Sequence, residues 1–282
     1  MIEIIQPAKF DPQTGNWCID SESGSPTDLA ELTLVTFNVW FDDYYALERC
    51  EALLEIVRQC DADIICLQEI KTRYLNFILQ QPWVQKGYQV SDFTGRTIQP
   101  YGVLLLSRLP ITQLRLHRLP SMMARKLLVT GFELNRQTVE IATVHLESMK
   151  AFAPSRKRQL SLIFPALAES QHVMLMGDFN FCARRSPEEN ACIDPDYQDM
   201  WIVLHGDDPG YTEDTNINLM RLEKNQKHKQ VRFDRMLVRS STPGWRPASI
   251  ELLGTEPISA NLPNVFPSDH FGLRGTLHWV EN

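Results

Sequence analysis

From Leu32 onward, apolar and polar positions follow regular periods. LTLVTFNVW alternates with the two-residue period of a strand. Asp42 and Asp43 then offer a helix start, and Leu47, Cys50, Leu53, Leu54 and Val57 recur on one helical face. ADIICLQEI predicts a buried strand ending in polar residues, and a second helical stretch follows around residues 71–80. GYQVSDF, YGVLLLSRL, LLVTGFEL and VEIATVHLES are short strand candidates separated by Gly, Pro or polar turns. SRKRQLSLIFPALAES predicts a helix interrupted or kinked at Pro165. HVMLMGDFN is another buried strand with a polar end. After an irregular stretch rich in Asp, Pro and Asn, RFDRMLV, PASIELL and FGLRGTLHWV close the chain as strands. Residues 1–30, with GNW and SESGSP, read as a polar N-terminal extension or linker, and residues 31–282 as one domain without internal repeats. Strands followed by helices in both halves predict an α/β fold with two sheets face to face and helices outside.

Composition narrows the class. The chain has 282 residues, 43% hydrophobic and 22% charged, which is ordinary globular usage and excludes disordered or collagen-like arrays. No stretch approaches the ~20 apolar residues that span a bilayer, and the start lacks the basic and apolar regions of a signal peptide. An intracellular chain with no membrane partner is the expectation. The net charge of −7 argues against a wholly basic nucleic-acid wrapper but leaves room for a nucleic-acid enzyme with a local basic patch. Six cysteines (Cys18, Cys50, Cys60, Cys66, Cys182 and Cys192) show neither a C-x-x-C pair nor zinc spacing, and they predict reduced, mostly structural thiols.

The chemistry collects at strand ends. Asn38, Gln68-Glu69, His145-Leu146-Glu147-Ser148 and Asp178-Phe179-Asn180 follow apolar strands, while Ser268-Asp269-His270 precedes one. Strand ends gathered at one sheet edge are where α/β enzymes build sites. Mg²⁺ takes oxygen ligands, keeps several waters and uses one or two protein carboxylates. Glu69 with Asn38 fits that demand. The chain lacks G-x-x-x-x-G-K-[ST], G-x-G-x-x-G and G-x-S-x-G motifs, so a nucleotide cofactor and a serine-hydrolase elbow are not expected. Metal-assisted phosphoester hydrolysis is the leading reaction class.

TFNVW, LQE, HLES, GDFN, RFDRM and SDHFGL, in that order, resemble the motifs of the endonuclease/exonuclease/phosphatase superfamily. Within it, HLESMKAFAPSRKRQL, YTEDT before RFDRM, and LLG before FPSDHFGL are most similar to the type 2 tyrosyl-DNA phosphodiesterases. The resemblance covers roughly residues 32–280. It implies a four-layered α/β sandwich, two central mixed β-sheets flanked by helices, with the site at one end. It also implies roles. Glu69, supported by Asn38 and Asp269, would hold Mg²⁺ or Mn²⁺, and Asp178 would orient or deprotonate the attacking water. Asn180, His145 and Ser148 would contact the phosphate. His270 would stabilise phosphoryl charge, with Asp234 fixing its ring. Thr212, Arg232, Arg184 and Arg185 are expected to bind substrate. The partner would be DNA with a 5′-blocked end, single-stranded near that end, acted on by a monomer.

Charge adds a local argument for a polyanion. Residues 221–235 hold Arg221, Lys224, Lys227, Lys229, Arg232 and Arg235 against Glu223 and Asp234, and they lead into a motif strand. Arg156, Lys157 and Arg158 read as a solvated face. Two positions depart from the resemblance. Cys182 stands where an arginine is usual, and Glu213 where an aromatic residue is usual, which would place a carboxylate against DNA. The competing readings are a general nuclease, another phosphodiesterase of the superfamily, or a catalytically dead binding domain.

Overall fold

The polar lead-in is not a linker. In the computed structural model, which describes residues 2–21 and 24–281, strands begin at once. β1 (Ile2–Ile5) joins one sheet, and the hairpin of β2 (Ala8–Asp11) and β3 (Asn16–Ile19) joins the other. Ile5 and Ala8 are buried. The segment reads as polar because edge strands bury only part of one face, so its apolar residues are sparse.

Further strands follow in order. β4 is Glu31–Asn38, β5 Ile64–Ile70, β6 Gln89–Val90, β7 Gly102–Ser107, β8 Gln113–Arg118 and β9 Lys126–Leu134. The second half supplies β10 (Gln137–His145), β11 (His172–Asp178), β12 (Gln198–Asp199), β13 (Glu213–Asp214), β14 (Gln230–Val231), β15 (Asp234–Ser240), β16 (Gly244–Leu253) and β17 (Gly272–Val280). One sheet runs β1-β8-β9-β10-β11-β15-β12, and the other β16-β17-β4-β5-β7-β6-β2-β3. Each is mixed: β10 runs parallel to β11 and β4 parallel to β5, while their other pairings are antiparallel.

The layers follow from strand periodicity. Leu32 and Leu34 of β4 point between the sheets, and Val35 and Phe37 point outward. β11 divides likewise, with Met174 and Met176 inward and Val173 and Leu175 outward. Strands covered on both faces read as continuous apolar runs, which is why these segments were legible. Helices α1 (Ala46–Gln59), α2 (Thr72–Leu79) and α3 (Pro82–Gly87) cover one sheet, and α4 (Ala153–Ala166) covers the other. The result is a four-layered α/β sandwich, as the sequence predicts.

Local details differ from the sequence expectation. Leu47 is exposed, and Arg49 takes its place on the buried face of α1. Pro165 does not interrupt α4; it lies in the last turn, one residue before the helix ends. GYQVSDF forms only the two-residue β6, because the Asp92 carboxylate accepts N–H bonds from Thr94, Gly95 and Thr97 and turns the chain. All six cysteines are free thiols, and burial pushes Cys50 up to about 12 and Cys60 to about 11, as for inert core residues. Deleting residues 1–20 should strip β1 from one sheet and the β2–β3 hairpin from the other and lower the melting temperature by several degrees, read by circular dichroism. An unchanged melting curve would restore the linker reading.

Candidate active site

Sheet register builds the site. His145, Asp178 and Asp234 face one another in a single row across β10, β11 and β15. In the opposing sheet Asn38 pairs with Gln68, with Glu69 next along β5. Gln68 is fully buried, and its amide donates to Thr36 Oγ1 (3.0 Å) and to Thr143 Oγ1 of the facing sheet (3.1 Å), stitching the layers beneath the site.

Several backbone positions are unusual at this edge. Glu69 (φ 64°), Trp40 (φ 54°) and Asn180 (φ 55°) lie in the left-handed region, and the β5–β7 pairing shifts register between Leu67 and Ile70. Such conformations cost free energy and concentrate at functional sites. Gly177 has φ 132°, and a Cβ there would lie 2.0 Å from Val144 O, so the glycine of GDFN allows β10 and β11 to close side by side.

Asp178 is the meeting point. Its Oδ2 accepts from Asn38 Nδ2 and Asn180 Nδ2, each at 3.1 Å, and lies 3.3 Å from His145 Nε2. Its Oδ1 accepts the Asn180 N–H at 2.8 Å. Burial pushes its carboxyl up to about 6. Glu69 is raised as well, chiefly by burial; it accepts the Phe41 N–H (3.1 Å) and the Asn38 amide (3.4 Å).

The two histidines carry opposite charge states. His145 is pushed well below the usual imidazole value by burial, then by the Arg125 charge, so it is neutral. Arg125 donates to its Nδ1 at 2.7 Å and to Ser148 Oγ at 2.6 Å. An arginine can only donate, so Nδ1 accepts and the ring proton sits on Nε2. That nitrogen is buried and makes no hydrogen bond among the described residues, with Asp178 Oδ2 3.3 Å away. For His270, burial favours the neutral ring, but Asp234, Asp269, Glu213 and Asp178 outweigh it and hold the ring as an imidazolium. Asp234 sits 2.7 Å from its Nδ1, and Glu213 sits 3.2 Å from its Nε2.

Asp178, Asp234 and His270 present ligand-type atoms within 4.8 Å of one another, but the His270 ring is charged and engaged at both nitrogens. A cation would find no lone pair on it. Glu69 and Asp269 are the better oxygen donors. Both line a 750 Å³ cavity; burial, with the Glu213 and Glu69 charges, pushes Asp269 up to about 6, and burial with the Asp178 charge raises Glu69, a charge excess that a divalent cation would relieve. Asn38 is held in place by bonds at both ends of its amide. Its Oδ1 is taken by the Trp40 N–H (3.0 Å), and its amide nitrogen bridges Asp178 and Glu69.

Other sequence-predicted residues separate into groups. Ser148, Asn180, His270, Asp269 and Arg185 line the cavity with Arg221, Lys227 and Lys229. Arg184 lies outside it, donating to Gly206 O and Asp208 O. Arg232 is internal: it is 2% exposed and gives both oxygens of Asp199 a 2.8 Å bond, and Asp199 in turn caps the short helix Met200–His205. Thr212 is also internal. Its Oγ1 accepts the N–H groups of Phe233 and Asp234, so it positions the Asp234 carboxylate. Arg156 is no solvated residue; it is buried and holds Glu147 O, Met149 O and Glu189 behind Ser148. Glu213 does not face DNA as a surface carboxylate. It is 3% exposed, and although burial opposes its charge, His270, Lys229 and Arg221 hold it down at about 2. Arg125 was missed, because a lone arginine before an apolar strand carries no spacing signal.

Comparisons place this geometry among known proteins. Residues 35–270 match the profile of the Endonuclease/Exonuclease/phosphatase family. Tyrosyl-DNA phosphodiesterase 2 of Xenopus laevis is 27% identical over 263 residues, covering 87% of this chain and 66% of the relative. The Mus musculus protein of the same name is 28% identical over 272 residues, covering 92% and 70%. The chain thus spans about two thirds of the length of these curated relatives. Among solved structures, D. rerio TDP2 complexed with single strand DNA product superposes with a TM-score of 0.75 at 24% identity, covering 88% of this chain and 99% of that one. The human Nocturnin catalytic domain with bound sulfate gives a TM-score of 0.66 at 19% identity, with 89% and 94% covered. Both likenesses describe the fold. Replacing Arg232 with alanine would strand Asp199 in the interior, and breaking such a buried pair costs about 3–5 kcal/mol. Denaturant unfolding of Arg232→Ala should show that loss; a fully stable variant with weakened DNA binding would return Arg232 to the substrate side.

Proposed function

Because the chain belongs to the endonuclease/exonuclease/phosphatase family, we propose that it is a divalent-cation-dependent phosphodiesterase that releases tyrosyl groups from the 5′-phosphate ends of DNA. The observation that carries this reading is the convergence of Asp178, charged His270 and Glu69 on one cavity, with neutral His145 buried beside them, its Nε2 3.3 Å from Asp178. The names of the relatives supply the substrate.

The side chains suit an in-line displacement at phosphorus. Asp178, near a pKa of about 6, accepts a proton from water as the water oxygen attacks. Asn38 and Asn180 hold its carboxylate in place, leaving it oriented toward the cavity. His145 Nε2–H and the His270 imidazolium donate to phosphoryl oxygens, where negative charge builds in the transition state. Ser148 shares Arg125 with His145 and lines the cavity. The P–O bond to tyrosine breaks, and the leaving phenolate, with a conjugate pKa of ~10, needs no strong acid behind it. Glu69 and Asp269 would hold a divalent cation, most simply Mg²⁺ or Mn²⁺, which would supply Lewis-acid charge stabilisation at the reacting phosphate. The substrate strand would be single-stranded near its end, tracked by Arg185, Lys227 and Lys229.

Replacing the base by its amide should lower turnover of a 5′-tyrosyl oligonucleotide by about 10²–10⁴-fold in Asp178→Asn, and Glu69→Gln should remove most cation-dependent turnover without altering the circular dichroism spectrum. Near-wild-type rates in either variant would remove that residue from the chemistry. Wild-type nicking of plain or abasic duplex faster than release of 5′-tyrosine would favour the general-nuclease reading. Asp234 and His270 should behave as one unit: Asp234→Asn should reproduce much of the His270→Ala defect, with strong non-additivity in the double variant's kcat/KM. Additive losses would mean that the two act separately.

A further inference from the structure

Nothing in the scheme above requires an acid at Glu213, yet the residue is built in with care. Its carboxylate is buried at the end of the two-residue β13, 3.2 Å from His270 Nε2. Lys229 Nζ lies 2.7 Å away, and Arg221 Nε 3.4 Å away. His270 Nε2–H is also the donor that the scheme aims at a phosphoryl oxygen. Carboxylate and phosphate therefore compete for one N–H, and any phosphate seated there lies within a few ångströms of a fixed negative charge.

We propose that Glu213 sets the charge selectivity of the phosphate site, disfavouring phosphomonoester dianions relative to phosphodiester monoanions and so driving product out. The inference rests on the phosphodiesterase reading. Hydrolysis of a diester converts a monoanion into a monoester whose charge is about −1.5 to −2 at pH 7. Coulomb energy is linear in charge. The cations His270, Lys229 and Arg221 favour the product over the substrate for that reason, and a site lined by them alone would bind product most tightly. Glu213 offsets part of that field where the phosphate sits. Its penalty on a dianion is about twice its penalty on a monoanion, so the ratio of the two affinities carries its signature.

The signature can be read without turnover. Isothermal titration of wild type and Glu213→Gln with diethyl phosphate, a monoanion, and phenyl phosphate, a dianion, at pH 8 and constant Mg²⁺ gives four Kd values. If Glu213→Gln tightens the monoanion by some factor, it should tighten the dianion by about the square of that factor. Glu213→Asp, which keeps the charge, should retain the wild-type ratio. With a 5′-tyrosyl oligonucleotide, Glu213→Gln should slow multiple turnover relative to single turnover, because the 5′-phosphorylated product leaves slowly. Equal tightening of both anions, no tightening, or an altered ratio in Glu213→Asp would overturn the proposal and leave Glu213 as a positioning partner of His270. Failure of the wild type to release tyrosine would sink the substrate reading alone, since the Kd ratio is measured independently of it.

Discussion

The site depends on one buried carboxylate. Asp178 takes hydrogen bonds from Asn38 of one sheet and Asn180 of the other, with His145 close by. Two sheets that pack through apolar side chains have no intrinsic alignment at their polar edge. A shared, nearly inaccessible acceptor supplies one, because each donor that failed to reach it would leave a buried polar group unsatisfied. Gln68, bridging Thr36 and Thr143 just below, enforces the same alignment from within the core.

The second constraint is charge balance. Asp178, Asp234, Glu213, Asp269 and Glu69 crowd one end of the sandwich, and burial raises Asp178, Asp269 and Glu69. The Asp234–His270 ion pair neutralises part of this charge and Lys229 and Arg221 another part, and under the proposed function a divalent cation on the Glu69–Asp269 side would complete the balance. The histidines illustrate how surroundings assign chemistry to identical side chains. His145, beside Arg125 and buried, stays neutral; His270, among carboxylates, stays charged. A neutral ring and a charged ring, both close to Asp178, suit an anion that gains charge as it reacts.

Loops are tied into this arrangement by buried arginines that sit outside the chemistry. Arg49 collects the carbonyls of Val39, Trp40, Asp42, Tyr44 and Pro267, anchoring the segment after Asn38 to the segment before His270. Arg156 does the same behind Ser148, and Arg232 fixes the helix Met200–His205 through the Asp199 carboxylate. A guanidinium carries five donors in a fixed fork, which makes it suited to collecting carbonyls whose chain has no regular partner.

The sequence by itself determined the sandwich and most of the acids and histidines gathered at the site. Strands buried on both faces produce unmistakable apolar runs, and Asn38, Glu69, His145 and Asp178 end such runs at fixed positions. What it could not show was the partner of each charged side chain. Arg156, Arg184, Arg232 and Lys229 look alike in a charge count, yet one clamps a loop, one binds surface carbonyls, one is sealed in an ion pair, and one faces the cavity. Residues 2–19 hid for a similar reason, since edge strands draw their stability from neighbours distant in sequence. Periodicity is a local property of the chain. The pairing of a charge, the tautomer of His145 and the burial of Glu213 arise from groups tens to hundreds of residues apart, and only the tertiary structure brings them together.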